Sequence, residues 1–427
     1  MSRLRARSAL ALSLSAVAAC VLSACSSGAA KPTTTHTVTQ GSSPSASTTQ
    51  PSSTTAAPKP PATIASTVRA GAKAWSPTAP LKLTAAAGKL TAVQLRNSDG
   101  KSVAGKLAAD GSSWQATEAL GYSKTYTLSA VAVNAEGTKT AKRMRFTTLT
   151  PDNLTMPYFD TVYGSAMVNG ATYGVGMIPV VNFDEPITDK AAATKLLSVT
   201  TSPHITGAWY WQNATSVHWR PKGFYQPGTK VTISANVYGK QVSNGLYGQS
   251  DKSISYRIGE KRVSIANAAT HHVKVYFSDK LVRTMPTSMG QGGTTTGKDG
   301  QTIYLWTMPG TYTVIGHENP AVMSSDSYGL PANSPLGYGK ENVYWSTKIS
   351  TDGIYLHELD TTVWAQGNSN VSHGCLNLNH DNALWYFNHS RVGDVVRVVH
   401  SGGPILQQWQ GGDWTVPWAQ WQKGGAL

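Results

Sequence analysis

A mainly β protein is predicted, with two sandwiches in series, then a third β-rich unit with a short helix, and a Trp-rich C-terminal segment. Three observations predict it. Only 14% of the 427 residues are charged against 40% hydrophobic, and Gly (40), Tyr (18) and Trp (13) are abundant. That composition suits β structure outside the cytosol better than a cytosolic helical protein. Short alternating runs recur between turn signals. Beyond the N-terminal leader no apolar run reaches membrane-spanning length, which excludes a polytopic helical membrane protein. At roughly 100–200 residues per domain the length allows two to four domains.

Residues 1–25 read as a secretory leader. Arg3, Arg5 and Arg7 form its basic start, and an Ala/Leu-rich apolar stretch follows. Leu22-Ser23-Ala24-Cys25 resembles a bacterial lipobox, which implies lipidation at Cys25 and attachment to the outer face of the cell membrane. An ordinary cleavage near Ala24 is the alternative. Cys20 would leave with the leader, so Cys375 is the one thiol expected in the folded part, too few for a disulfide framework. The net charge of +14 has two readings: an anionic lipid or anionic wall polymer as counterpart outside the membrane, or a merely soluble basic protein; no nucleic-acid partner is expected there.

Residues 26–65 are mostly Ser, Thr, Pro and Ala without apolar period. They read as a disordered tether, spanning about 35 Å r.m.s.. Residues 66–150 are predicted as the first sandwich: Tyr126–Val133 alternates, and Asn97–Gly100 and Asn134–Gly137 are turn signals. Residues 151–258 are predicted as the second, with strands at 178–183, 208–211, 217–219 and 230–235 punctuated by Pro221 and Pro227. His204 and His218 stand isolated there and read as structural or surface residues. Residues 259–400 form the third unit. Strands are expected at 262–265, 273–277 and 281–285, the latter two joined by Ser278-Asp279, and further strands at 310–315, 353–357 and 394–399. Asn379 is placed to cap a helix running through Phe387. The tail 401–427, with Trp409, Trp414, Trp418 and Trp421, is too short to fold alone and is expected to pack back on the chain.

Chemistry concentrates in Ser369–Asn377, which reads SNVSHGCLN. A cysteine nucleophile requires a nearby base or cation. His373 would share a side with Cys375 on an extended segment, and His357 ends an apolar run at a strand terminus. Gly374 permits close substrate approach, and the N–H groups of Gly374 and Cys375 are candidate oxyanion donors. Two other readings stand beside this one: an inert buried thiol, and a metal site using His373, Cys375, His380 and His389. His357-Glu358 begins a zincin-like motif, but residue 361 is Thr and the motif fails.

Ser372-His373-Gly374-Cys375-x-Asn377, with His357 eighteen residues before the cysteine, resembles the active-site signature of the L,D-transpeptidases, in particular their actinobacterial and mycobacterial branch. The strings at 182–186, 285–290 and 366–371 are similar too. The resemblance covers residue 66 to the end. It implies two immunoglobulin-like domains, a YkuD-type catalytic domain and a Trp-rich C-terminal segment. It also implies residue roles. Cys375 would be the acyl-accepting nucleophile, His357 the base and His373 its support, with the carbonyl of residue 358 orienting His357. Glu358 stands where the family carries Ser, which leaves open whether its carboxylate raises the pKa of the base. Tyr338 would lie near the oxyanion pocket and Met323 on a mobile lid. Gly353, Asn370, Ser372, Gly374 and Asn377 would line the substrate. A calcium loop known in some relatives matches residues 239–248, but Gln241 and Asn244 replace acidic ligands, so neither metal nor cofactor is expected. The implied substrates are peptidoglycan stem peptides as donor and acceptor, and the implied inhibitors are carbapenem β-lactams. A D-Ala carboxypeptidase and a non-catalytic wall-binding lipoprotein are the rival readings.

Overall fold

A computed structural model describes residues 59–425. The leader, Cys25 and residues 26–58 of the tether lie outside the described residues. Among the described residues strands dominate and no helix is long and apolar enough to cross a membrane.

The first sandwich packs a four-stranded sheet (in spatial order Thr63–Ser66, Lys82–Ala86, Ser113–Ala116, Gly105–Leu107) on a three-stranded sheet (Lys89–Asn97, Thr125–Val133, Lys139–Thr147). Leu83, Leu95, Trp114, Leu128 and Phe146 fill the space between them. The alternation in Tyr126–Val133 is the cause: Tyr126, Leu128, Ala130 and Ala132 point inward while the intervening residues face out. The first strand corrects the tether boundary. Ala62 and Ile64 are buried and Thr63–Ser66 pairs with Lys82–Ala86. The short alternation in this stretch outweighs its Pro-rich start, so the fold begins before residue 66.

The second sandwich packs two four-stranded sheets around Trp211, Val217, Trp219, Val231 and Ile233. It meets the first at Tyr122, whose hydroxyl donates to Gly248 O (2.8 Å) and accepts from Gly239 N (2.7 Å).

In the third unit a five-stranded sheet runs Lys280–Pro286, His272–Phe277, Arg262–Asn267, Val395–Val399, Gly310–Thr313. Ser278 and Asp279 close the first hairpin with φ of 46° and 68°, the left-handed values a two-residue hairpin turn requires. A second sheet runs Gly316–Glu318, Ser346–Lys348, Tyr355–Glu358, Leu376–Leu378, its last pair parallel. The helix His380–His389 follows, capped by the Asn379 side chain, which accepts from Asn382 N at 3.0 Å.

The C-terminal segment crosses from the third unit to the second sandwich. Arg220, buried in that sandwich, stacks against Trp414, Trp418 and Trp421 at 5.0, 5.6 and 4.6 Å and donates to Val416 O. His218 bonds the buried carboxylate of Asp413 at 2.8 Å. The segment also grips the loop after Ser350: Thr351 Oγ1 donates to Trp409 O, and Gln410 Nε2 donates to Asp352 Oδ2.

Candidate active site

His357 and Cys375 come together through the parallel pair. Register sets His357 opposite Asn377, and Cys375 lies two residues before Asn377. His357 and Asn377 are cross-strand partners, and Cys375 lies in the bend that enters the Leu376–Leu378 strand. His357 is buried, inside its strand, which continues through Glu358. Its Nδ1 lies 2.9 Å from Glu358 O. A carbonyl only accepts, so Nδ1 carries the proton and Nε2 is left with its lone pair.

Burial governs both titrations. Removal from water pushes His357 down to about 4, opposed only in part by the Glu358 carbonyl. It pushes the Cys375 thiol up to about 11, against the Tyr355 N–H, which favours the thiolate; the charge of Asp352 adds to the rise. At neutral pH the site therefore holds a thiol beside an uncharged imidazole. The thiol donates to Gly353 O at 3.6 Å. Gly353 has φ of +102°, a value that favours glycine and aims this carbonyl at sulfur.

The loop bearing Cys375 is fixed by buried hydroxyls. Ser372 Oγ donates to Cys375 O (2.6 Å) and accepts from Gly374 N (3.1 Å). This corrects one expectation: the Gly374 N–H already has a partner in Ser372 Oγ and is not free as an oxyanion donor. Thr307 Oγ1 donates to Gly374 O (2.6 Å) and accepts from Gly290 N (2.9 Å). Gly374 has φ of +143°, and a Cβ there would meet Ile354 Cδ1 at 2.7 Å.

On the open side, His373 stacks obliquely on Tyr338, ring centroids 5.4 Å apart. Burial lowers the His373 pKa, opposed by the Leu336 carbonyl, and its Nε2 is buried without a partner. Tyr338 has its pKa raised, by burial first and then by negative charge on Cys375. Ser325 holds the Tyr338 backbone at both N–H and carbonyl. Tyr328, whose ring lies 6.4 Å from that of Tyr338, is pushed up to about 12 by burial, with Cys375 contributing. Met323 ends a strand paired with Glu341–Val343, the base of the loop that carries both tyrosines.

The Asn370 amide is bonded within the chain. Its Oδ1 accepts from Met289 N and lies 3.0 Å from His271 Nδ1, while Nδ2 donates to Ala268 O. Its amide ties the loop to the body of the domain. The four residues of the metal reading are not brought together. His380 pairs with Glu358 and His389 stacks on Trp385. Among the described residues no group of three His, Cys, Asp or Glu is placed to hold a metal ion. The Glu358 carboxylate lies 3.0 Å from His380 Nδ1, and the causes of the His357 shift are burial and, opposing it, the Glu358 carbonyl.

Thr307, Ser325 and Tyr328 were not among the residues expected from sequence. A lone Thr between Trp306 and Met308 carries no periodic signal, and its partners are Gly290 and Gly374, distant along the chain.

A model described as "Bacterial Ig domain" matches residues 72–241, and one described as "L,D-transpeptidase catalytic domain" matches residues 261–398. The chain is 39% identical over 364 residues to L,D-transpeptidase 2 of Mycobacterium tuberculosis, covering 85% of each chain. It is 33% identical over 358 residues to L,D-transpeptidase 5 of that organism, covering 82% of this chain and 74% of the relative. Among solved structures, L,D-transpeptidase 3 of Mycobacterium tuberculosis with a faropenem-derived adduct aligns at 28% identity and a TM-score of 0.44, over 54% of this chain and 94% of that one.

Proposed function

This chain belongs to the L,D-transpeptidase family and is an acyltransferase, and from that premise we propose that Cys375 forms a thioester with peptidoglycan tetrapeptide stems and passes it to a neighbouring stem. His357 Nε2 takes the thiol proton as sulfur attacks the carbonyl carbon of the stem's third residue. The oxyanion is held by the Cys375 N–H and the Tyr338 hydroxyl. The tetrahedral adduct collapses, the C–N bond to the terminal D-Ala breaks, and the departing amine takes the proton from His357. The side-chain amine of another stem's third residue then attacks the thioester. It loses a proton to His357, and sulfur leaves as thiol. The product is a third-to-third cross-link.

The observation that supports this reading is the uncharged His357, its Nδ1–H fixed by the Glu358 carbonyl, on the strand that pairs in parallel with Leu376–Leu378, the strand that follows Cys375 directly. Tyr338, Met323, Gly353, Ser372, Gly374 and Asn377 would border the stem, with His373 packed against Tyr338. The same nucleophile opens strained β-lactam carbonyls, so carbapenems would acylate Cys375. We place the enzyme outside the membrane, anchored through lipid on Cys25 and acting in the wall.

Mass spectrometry of the protein with a disaccharide-tetrapeptide, beside Cys375→Ala, tests the reading. Cross-linked dimer made by the parent and not by the variant is the expected result. Free tripeptide without dimer would make the enzyme a carboxypeptidase. Absence of any product or thioester, with a carbapenem as well, would leave a wall-binding module.

A further inference from the structure

The positive charge of this protein is concentrated in one domain. Residues 59–150 carry 13 Lys and Arg against four Asp and Glu, a net +9 of the chain's +14, whereas residues 151–427 carry 19 against 18. Register concentrates it further. Across the three-stranded sheet of the first sandwich, outward rows read Arg96–Thr127–Arg145, Gln94–Ser129–Arg143 and Lys89–Val133–Lys139. All five cations are exposed and the three strands contain no carboxylate. Among the described residues none of the five is in an ion pair; Arg96 donates to Gly100 O, and Asp110 lies near enough to Lys89 to feel its charge.

The sheet is also where the preceding chain joins. Lys59 N donates to Glu136 Oε1, and Asn134 Nδ2 donates to Pro60 O, in the hairpin beside the Lys89–Val133–Lys139 row. The other end of the central strand leads to Tyr122 and the second sandwich. A cationic face some 25–30 Å long thus extends from the Lys59–Pro60 end of the domain toward the second sandwich.

From this placement we infer that the outward face of the Lys89–Asn97, Thr125–Val133 and Lys139–Thr147 sheet docks on an anionic phospholipid bilayer. A pleated sheet face with separate rows of Lys and Arg matches a planar array of phosphates. Once the leader is cleaved before Cys25, residues 25–58 precede the sheet in sequence, and a bilayer is the anionic surface that a lipid on Cys25 would bring close. Docking would hold the catalytic domain at a set height above the membrane.

Vesicle binding tests it. The chain from Lys59 onward contains all three cores and would be sedimented with vesicles of phosphatidylglycerol and phosphatidylcholine in equal parts, with phosphatidylcholine alone, and with soluble polyphosphate. Binding to the anionic vesicles that weakens with salt is expected. At about fivefold in affinity per surface cation, Arg96→Gln, Lys139→Gln, Arg143→Gln and Arg145→Gln combined should weaken it several-hundred-fold. Lys222→Gln, Lys230→Gln, Lys240→Gln and Lys252→Gln remove the same charge from the second sandwich and should leave affinity within a few-fold of the parent. Thermal melting checks that both variants fold. Equal losses in the two variants, or no preference for anionic vesicles, would overturn the inference. Polyphosphate binding as tight as vesicle binding would overturn it in favour of a wall polymer.

Discussion

Thr307→Val tests how the Cys375 loop is held. The substitution keeps the branched shape and approximate volume but removes a hydroxyl at a fully buried site. Two bonds go with it: the donation to Gly374 O at 2.6 Å and the acceptance from Gly290 N at 2.9 Å. Water cannot replace either, so a buried carbonyl and a buried N–H are both left unpaired. At about 1–3 kcal/mol each, the loss is about 4 kcal/mol. For a unit of the catalytic domain's size this lowers the melting temperature by roughly 8–16 °C. Gly374 adjoins Cys375, so release of its carbonyl also moves sulfur, and a displacement of about 1 Å costs on the order of 10²-fold in rate. Thr307→Ser is the matched control. It keeps the hydroxyl and loses a methyl, at about 1 kcal/mol. Thermal melts and carbapenem acylation followed by whole-protein mass give both readouts. The expected order is parent, Ser, Val in each. If Val melts and acylates like the parent, or if Ser and Val are indistinguishable, the hydroxyl does not hold the loop.

His357→Gln should slow acylation by roughly 10²–10⁴-fold, the usual contribution of a general base; parental rates would show that another group takes the thiol proton. The pKa of His357 is depressed to about 4, so the imidazole is uncharged at every pH above that value, and the acylation rate should stay level through the neutral range and fall only as pH approaches 4. An acid limb near the ordinary histidine value of about 6.5 would mean that the ring is solvated. Because the Glu358 carboxylate faces His380, Glu358→Ser should leave that limb in place, and a shifted limb would show that the carboxylate reaches the base. Arg220→Met removes the cation stacked between three indoles and its bond to Val416 O; a stability loss of about 2–4 kcal/mol and faster proteolysis of the C-terminal segment are expected, and an unchanged melting and digestion pattern would refute that clasp.

The parts of this site that could be read from sequence are those whose chemistry demands rare residues. A lone Cys flanked by His and Gly narrows the choices sharply, and an apolar run through His357 announces a strand, though one that continues to Glu358 and buries the imidazole instead of ending at it. The parallel pairing that joins the two segments leaves no local trace. It is visible only as register between Tyr355–Glu358 and Leu376–Leu378. Hydroxyl anchors are harder still. Ser372 could be expected near substrate, but its two bonds run along its own loop, and Thr307 looks like any strand-flanking Thr until Gly374 is placed beside it. Asn370 shows the opposite failure. An amide serves a ligand or a neighbouring backbone equally well, and here Met289 N and Ala268 O take it. Charge follows the same logic as pairing. The total of +14 can be counted from the letters, and a basic protein so read has many candidate counterparts. Once register stacks Arg96 with Arg145 and Lys89 with Lys139 across a strand that bears no acid, the same charge becomes a surface with a direction, and a bilayer can be tested against it.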